Sequence, residues 1–149
     1  MASTAVRLVQ LPRPEVATRP ASLQDPAYQA FWLLRIGFII APILFGVDKF
    51  FHVLVDWDRY LAPEFADLFH LQAHTLMYAV GVIEIVAGLV VAVRPRFGGY
   101  LVAAWLAGII INLLLMADYY DIALRDFGLL LAALTLARLA AAFPARRQA

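Results

Sequence analysis

The chain contains no cysteine, and this absence removes several classes of chemistry at once. Disulfide bonds, thiolate metal sites, iron–sulfur clusters and dithiol redox reactions all need cysteine thiols. Charge is also scarce: Asp, Glu, Lys and Arg make up 15% of the 149 residues, against about a quarter in soluble domains. Because the net charge is only +1, overall electrostatics give no support for a nucleic-acid partner.

Apolar residues make up 64% of the chain, which is more than a soluble helical protein of this length can bury. A bilayer is therefore the expected second solvent and lipid the expected partner. Each of four apolar runs is long enough to cross a membrane as a helix. They span about residues 30–55, 71–93, 100–117 and 122–143. The sequence predicts an all-α integral membrane protein, an antiparallel up-down four-helix bundle.

Polar segments flank the four-span domain, which we assign to residues 28–143. Residues 1–27 are rich in proline and arginine and predict a disordered tail, and residues 144–149 predict a basic tail. Arginines gather in these tails and in the turn at residues 94–96, whereas the other two connections carry few. By the positive-inside rule both termini are cytoplasmic. The predicted location is a bacterial-type plasma (inner) membrane.

In this orientation most of the ionisable residues meet at the outer face. Charged groups are costly at membrane depth and usually face a protein interior or a watery cavity. Spans one and three end outside, and spans two and four begin there. We therefore predict a polar pocket near the outer face, with Glu84 deeper in the bundle. Its candidate ligand-binding residues are Asp48, Lys49, His52, His70, His74, Glu84, Asn112, Arg125 and Asp126.

The same charges have a structural interpretation. Asp48 and Lys49 point about 100° apart on a helix, so they are poorly placed to pair with each other. Their expected partners lie on other spans and are Glu84, Arg125 and Asp126. An ion-pair network that fixes helix register explains the charges as well as a functional site does. Glu84 is either a proton-accepting carboxyl or a packing group bonded to Asn112 or a backbone carbonyl.

Three histidines raise the question of a metal. His70 and His74 are one helical turn apart, which is metal-ligand spacing, and His52 with Asp48 would complete a ligand set. No acidic residue lies between the pair as in the metalloprotease pattern. The sequence therefore predicts interface histidines and no metal site, with His52, His70 and His74 as the ligands of the alternative. Haem is not expected, because no second histidine pair lies on an opposing helix.

Several short motifs follow one another across residues 30–142. In chain order they are Arg35 near the start of span one, Gly46-x-x-Lys49 at its end, Glu84-x-x-x-Gly88 in span two and the basic turn after it. In these motifs the chain resembles the DoxX/DoxD-like membrane proteins. The resemblance implies a four-helix bundle, with Lys49 and Glu84 at the family's polar pair. Some members of that family are reported as the small membrane subunit of a thiosulfate:quinone oxidoreductase. Others are reported as membrane partners of superoxide-detoxifying and sulfur-transfer enzymes.

Three functions stay open. The first is an accessory or quinone-interacting subunit of a membrane redox system, not an enzyme alone, with a redox enzyme or a second copy as partner. In it His74 or His52 would hydrogen-bond the quinone, and Glu84 or Asp126 would handle protons. The second is a small-solute or proton-linked transporter, for which only Pro42 suggests a broken helix. The third is a structural or assembly scaffold without chemistry of its own.

Overall fold

The computed structural model describes residues 23–70 and 72–143, and within them the chain is helical and contains no strand. The predicted tails lie outside the described residues, except for residues 23–27. One short helix and four long ones follow in the order α1 Pro26–Phe51, α2 Pro63–Phe69, α3 Ala73–Val93, α4 Pro95–Leu115 and α5 Tyr120–Ala142. A 3-10 turn at Trp57–Tyr60 lies between α1 and α2. The predicted all-α class is confirmed.

Proline begins three of these helices. Pro26, Pro63 and Pro95 occupy the first turns of α1, α2 and α4, where the missing backbone N–H has no helical partner to lose. The side chain of Asp25 caps α1 by accepting a 2.9 Å hydrogen bond from the Ala27 backbone. These local signals place the start of α1 and α4 a few residues earlier than the apolar runs alone do.

The four long helices pack in a ring. α1 lies mainly against α3 and α4 mainly against α5, while α3 contacts α4 and α5 contacts α1. Neighbours run antiparallel: along the α1–α3 contact, Gly46 meets Gly81, whereas the later residue Gly88 meets the earlier residue Ile39. Tyr28 and Phe143 close the ring where α1 begins and α5 ends, with ring centroids 5.3 Å apart.

Glycine brings the backbones of α1 and α3 into contact. A Cβ atom added to Gly46 would lie 2.5 Å from the Gly81 carbonyl oxygen, and one added to Gly81 would lie 2.7 Å from the Gly46 oxygen. A Cβ on Gly88 would lie 2.9 Å from the Ile39 oxygen. The lack of side chains at Gly46, Gly81 and Gly88 permits this close approach, which brings the end of α1 against the middle of α3.

Three of the long helices, α1, α3 and α4, are long and apolar enough to cross a membrane. Large apolar side chains on their outer surfaces are exposed, among them Leu33, Val86 and Ile111. This surface fits a lipid environment, and the chain is a small multi-span helical membrane protein. α5 is 23 residues long but carries more charge, with Asp121, Arg125, Asp126 and Arg138.

The two ends of the bundle differ. One end, which we call the polar end, carries the α1–α3 connection and the turn at residues 116–119. All non-glycine residues with positive φ in the described chain lie there: His52, His70, Ala117 and Tyr119. At the opposite end Arg94 alone links α3 to α4. There the Arg35 guanidinium donates a 2.6 Å hydrogen bond to the Ala92 carbonyl, one of the last in α3.

One prediction about the polar end is wrong. The one-turn spacing of His70 and His74 predicts that both side chains lie on one face of a single helix. Instead α2 ends at Phe69, His70 takes the left-handed conformation (φ 52°, ψ 36°), and α3 begins at Ala73. A left-handed residue ends an α-helix and turns the chain. His70 and His74 therefore belong to different helices.

Candidate functional site: a charge cluster and a histidine cluster

A buried ion pair joins α1 to α3. Lys49 Nζ lies 2.7 Å from Glu84 Oε2, and the two side chains are 4% and 9% exposed. Each charge compensates the other for the hydration that both lose on burial. Of the partners predicted for Lys49, the structure gives it Glu84.

The other two long helices each add one residue beside this pair. Trp105 on α4 and Asp126 on α5 both lie within electrostatic range of the Glu84 carboxylate. The Trp105 Nε1–H is buried and faces the Glu84 carboxylate, but this contact does not meet the geometry of a good hydrogen bond. Asp126 is 9% exposed and has no ion pair in the described chain. We call Lys49, Glu84, Trp105 and Asp126 the charge cluster, to which each long helix contributes one member.

Asp48 has a different role from its neighbour Lys49. Its carboxylate accepts hydrogen bonds of 3.0 Å from the backbone N–H groups of Val53 and Leu54 and one of 2.7 Å from Trp57 Nε1. These bonds fold the chain that leaves α1 back over the helix end. The Trp57 ring then lies over Lys49, with Nζ 3.9 Å from the ring centroid. Asp48 therefore holds the Trp57 ring over Lys49, where the ring covers one side of the charge cluster.

The histidine cluster lies next to it at the polar end and consists of His52, Asp58, His74 and Tyr78. His74 Nδ1 donates a 3.0 Å hydrogen bond to Asp58 Oδ2, and the Tyr78 hydroxyl lies 2.7 Å from His74 Nε2. The rings of His52 and His74 stack, with centroids 5.3 Å apart and planes 15° apart. This arrangement brings together three elements: the end of α1, the 3-10 turn and the first turns of α3.

The remaining predicted site residues lie outside both clusters. Asn112 anchors the α1–α3 connection to α4: it donates to the Tyr60 carbonyl at 2.6 Å and accepts from the Ala62 N–H at 2.9 Å. Its amide is thus not the partner of Glu84. His70 is exposed at the end of α2, and Arg125 is exposed beside Asp126.

Sequence reasoning did not find Trp57, Asp58, Tyr78 and Trp105 as site residues. The first two lie in a stretch of mixed aromatics and charges that suggested only a headgroup-zone connection. Their contacts depend on how that connection folds, which no periodic pattern encodes. Tyr78 did carry a signal, because it lies four residues after His74 and so on the same face of α3.

A shallow apolar groove of about 350 Å³ lies near the other end of α3. Its lining residues are Val86, Leu89, Val90, Val93 and Arg94. None of them belongs to either cluster, and the groove opens on the apolar outer surface of the bundle. We therefore assign the groove to the lipid-facing surface and not to the functional site.

Comparison with protein-family models, with curated proteins and with solved structures finds no match to this chain. Functional assignment consequently depends on the geometry of the two clusters and on the motifs in the sequence.

Proposed function

We propose that the protein spans the membrane four times, with α5 as the fourth span and both termini in the cytoplasm. The packing of α5 against α4 and α1 supports this topology. The charges of α5 are also compatible with it. Asp121 and Arg138 lie toward its two ends, Asp126 is buried inside the bundle, and the exposed Arg125 is close enough to the polar end to snorkel.

Within this bundle, the charge cluster serves as a binding site for a quinone head group, and the protein acts as the membrane subunit of a redox system. One observation carries this proposal: among the described residues the buried Trp105 N–H makes no hydrogen bond of good geometry, and the buried Asp126 carboxyl has no ion-pair partner. A quinone carbonyl accepts a hydrogen bond, and a quinol hydroxyl donates one. The Trp105 N–H and the Asp126 carboxyl match those two needs.

The roles follow from this chemistry. Trp105 donates to the quinone carbonyl, and Asp126 accepts from the quinol hydroxyl or exchanges its proton. The Lys49–Glu84 pair provides a polar wall whose charges are already compensated. Reduction of a quinone also takes two electrons, which come from the partner redox enzyme. His74 has other partners, since Asp58 and Tyr78 bind both of its ring nitrogens.

Two further arguments favour this function over the alternatives. The motifs that resemble the DoxX/DoxD-like family include both members of the buried pair, and that family's reported partners are redox enzymes. A transporter of the broken-helix type would need an interruption at mid-membrane, but α1 continues through Pro42 as one helix.

Calorimetric titration of the protein in lipid nanodiscs with short-chain ubiquinone and menaquinone analogues tests the proposal. We expect saturable binding of at least one quinone. Trp105→Phe should weaken it about tenfold, because loss of one partner of a buried hydrogen bond costs about 1–3 kcal/mol. Trp32→Phe is the matched control, since Trp32 lies on the exposed surface of α1, and it should bind like the unaltered chain.

Two results would contradict the proposal. One is a folded protein that binds neither quinone. The other is equal affinity in Trp105→Phe and Trp32→Phe. If, in addition, Lys49→Met and Asp126→Asn change only the yield of folded protein, the cluster is a structural network and the scaffold interpretation holds.

A further inference from the structure

The histidine cluster has the composition of a metal site. One ligand atom from each of His52, Asp58 and His74 lies within 4.8 Å of the other two. Two imidazoles and one carboxylate make a donor set that zinc and similar divalent transition metals favour, whereas calcium and magnesium prefer oxygen ligands alone. We propose that His52, Asp58 and His74 bind a divalent transition metal ion of the zinc class. This inference is independent of the quinone proposal.

The local fold orients His52 toward the cluster. His52 ends α1 in the left-handed conformation, with φ 53° and ψ 41°. Glycine is the usual residue at such a position, because a side chain makes the left-handed conformation sterically unfavourable. In this conformation the imidazole of His52 stacks against the ring of His74. Strained conformations of non-glycine residues often occur at functional sites, and a metal site accounts for the left-handed conformation of His52.

Asp58 is positioned from the opposite side. The hydrogen bond from Trp57 to Asp48 fixes the start of the 3-10 turn, and Asp58 is the next residue. One carboxylate oxygen of Asp58 accepts from His74, while the other, Oδ1, is buried and has no partner among the described residues. Because a buried carboxylate oxygen without a donor is costly, this atom is a vacant ligand position for a cation.

The distances fit a tetrahedral ion after a small contraction. Zinc bonds to imidazole nitrogen and carboxylate oxygen of about 2.0–2.2 Å place tetrahedral ligand atoms about 3.3–3.5 Å apart. His74 Nδ1 and Asp58 Oδ2 are already 3.0 Å apart. The cluster's widest separation, at most 4.8 Å, must shorten by up to about 1.5 Å. The His52 ring has no hydrogen bond to a described residue that would oppose this movement.

Tyr78 completes the second layer of the site. Metal-bound histidines donate their other ring N–H to an oxygen acceptor, which fixes the tautomer and the ring plane. In the metal-free chain the Nδ1 proton of His74 is directed at Asp58. When Nδ1 binds the metal, Nε2 carries the proton and donates it to the Tyr78 oxygen, which lies 2.7 Å away. Three protein ligands leave a fourth position for water.

The test uses the full chain in detergent, purified without a histidine tag and stripped of metal with EDTA. It is titrated with Zn²⁺ by calorimetry and with Co²⁺ by visible absorption. We expect one equivalent of Zn²⁺ and the intense absorption bands of tetrahedral cobalt. His52→Asn, Asp58→Asn and His74→Asn should each weaken Zn²⁺ binding at least tenfold. Tyr78→Phe should weaken it less.

The matched control is His70→Asn, which removes an exposed histidine outside the cluster and should leave binding unchanged. Circular dichroism shows whether each variant is folded. Because three single variants are measured, the test still decides the question if one of them fails to fold. The proposal is overturned if the stripped chain binds no Zn²⁺, if the three variants bind normally, or if His70→Asn weakens binding as much as His74→Asn. Quinone binding is not part of the readout, so the two proposals fail separately.

Discussion

Gly81 lies directly opposite Lys49, and a Cβ atom on Gly81 would lie 3.2 Å from the lysine Cβ. The same atom would lie 2.7 Å from the Gly46 carbonyl oxygen. The absence of a side chain at Gly81 therefore provides room for the lysine that pairs with Glu84. The close packing of α1 against α3 and the pairing of Lys49 with Glu84 therefore both depend on Gly81.

Gly81→Ala should separate the two helices. The added methyl group meets backbone atoms that cannot move aside, and overpacking of this kind costs about 1–3 kcal/mol. Gly37→Ala, on the open surface of α1, meets nothing within 4 Å and should cost nothing. Unfolding by SDS in mixed micelles measures both free energies. Equal stability of the two variants would contradict the contact.

The Lys49–Glu84 ion pair predicts that the effects of changing its two members on the free energy of unfolding are not additive. Lys49→Met or Glu84→Leu alone leaves an uncompensated buried charge and should lower the free energy of unfolding by about 3–5 kcal/mol. The double variant, which carries neither charge, should recover most of that loss. The same SDS titration gives the coupling energy. Losses that simply add would show that the two groups do not interact.

Asp48→Asn should loosen the connection after α1. An amide does not supply the two acceptor oxygens that now bind Val53, Leu54 and Trp57. Hydrogen–deuterium exchange followed by mass spectrometry should show faster uptake in residues 52–58 and unchanged uptake in α4. Asp67→Asn, at an exposed position of α2, is the control. Unchanged exchange in residues 52–58 would show that other contacts hold the connection.

The natural absence of cysteine makes the topology simple to measure, because a single introduced thiol has no background. In intact cells a membrane-impermeant maleimide should label Glu64→Cys and Asp118→Cys. Arg96→Cys and Gln148→Cys should react only after the membrane is opened. Labelling of Gln148→Cys in intact cells would place α5 outside the bilayer and contradict the fourth span.

The helices were predictable because apolar length is a strong, local signal. The residues at which the helices end were less predictable. Span one was expected to reach Val55, but α1 ends at Phe51, because His52 turns left-handed and the Asp48 carboxylate captures the next backbone N–H groups. Those two effects depend on single side chains, which an apolar run does not reveal.

The candidate site was also only partly predictable from the sequence. Glu84 was expected deeper in the bundle than the other charged residues, and it lies on the buried face of α3. The meeting of Asp58 with His74 was not predictable, because it depends on the path of a connection that has little periodicity. Pattern reasoning therefore identified most of the charged residues on the helices, but it missed the residues of the connection and the aromatic residues Tyr78 and Trp105.

The left-handed residues of the polar end have one more consequence. His52, His70, Ala117 and Tyr119 hold backbone conformations that glycine adopts freely. Each is thus a position where a glycine would relieve local strain, and in the described chain such positions occur only on this side of the bundle. Thermostability engineering should therefore begin at Ala117, which touches neither cluster, and leave His52 unchanged.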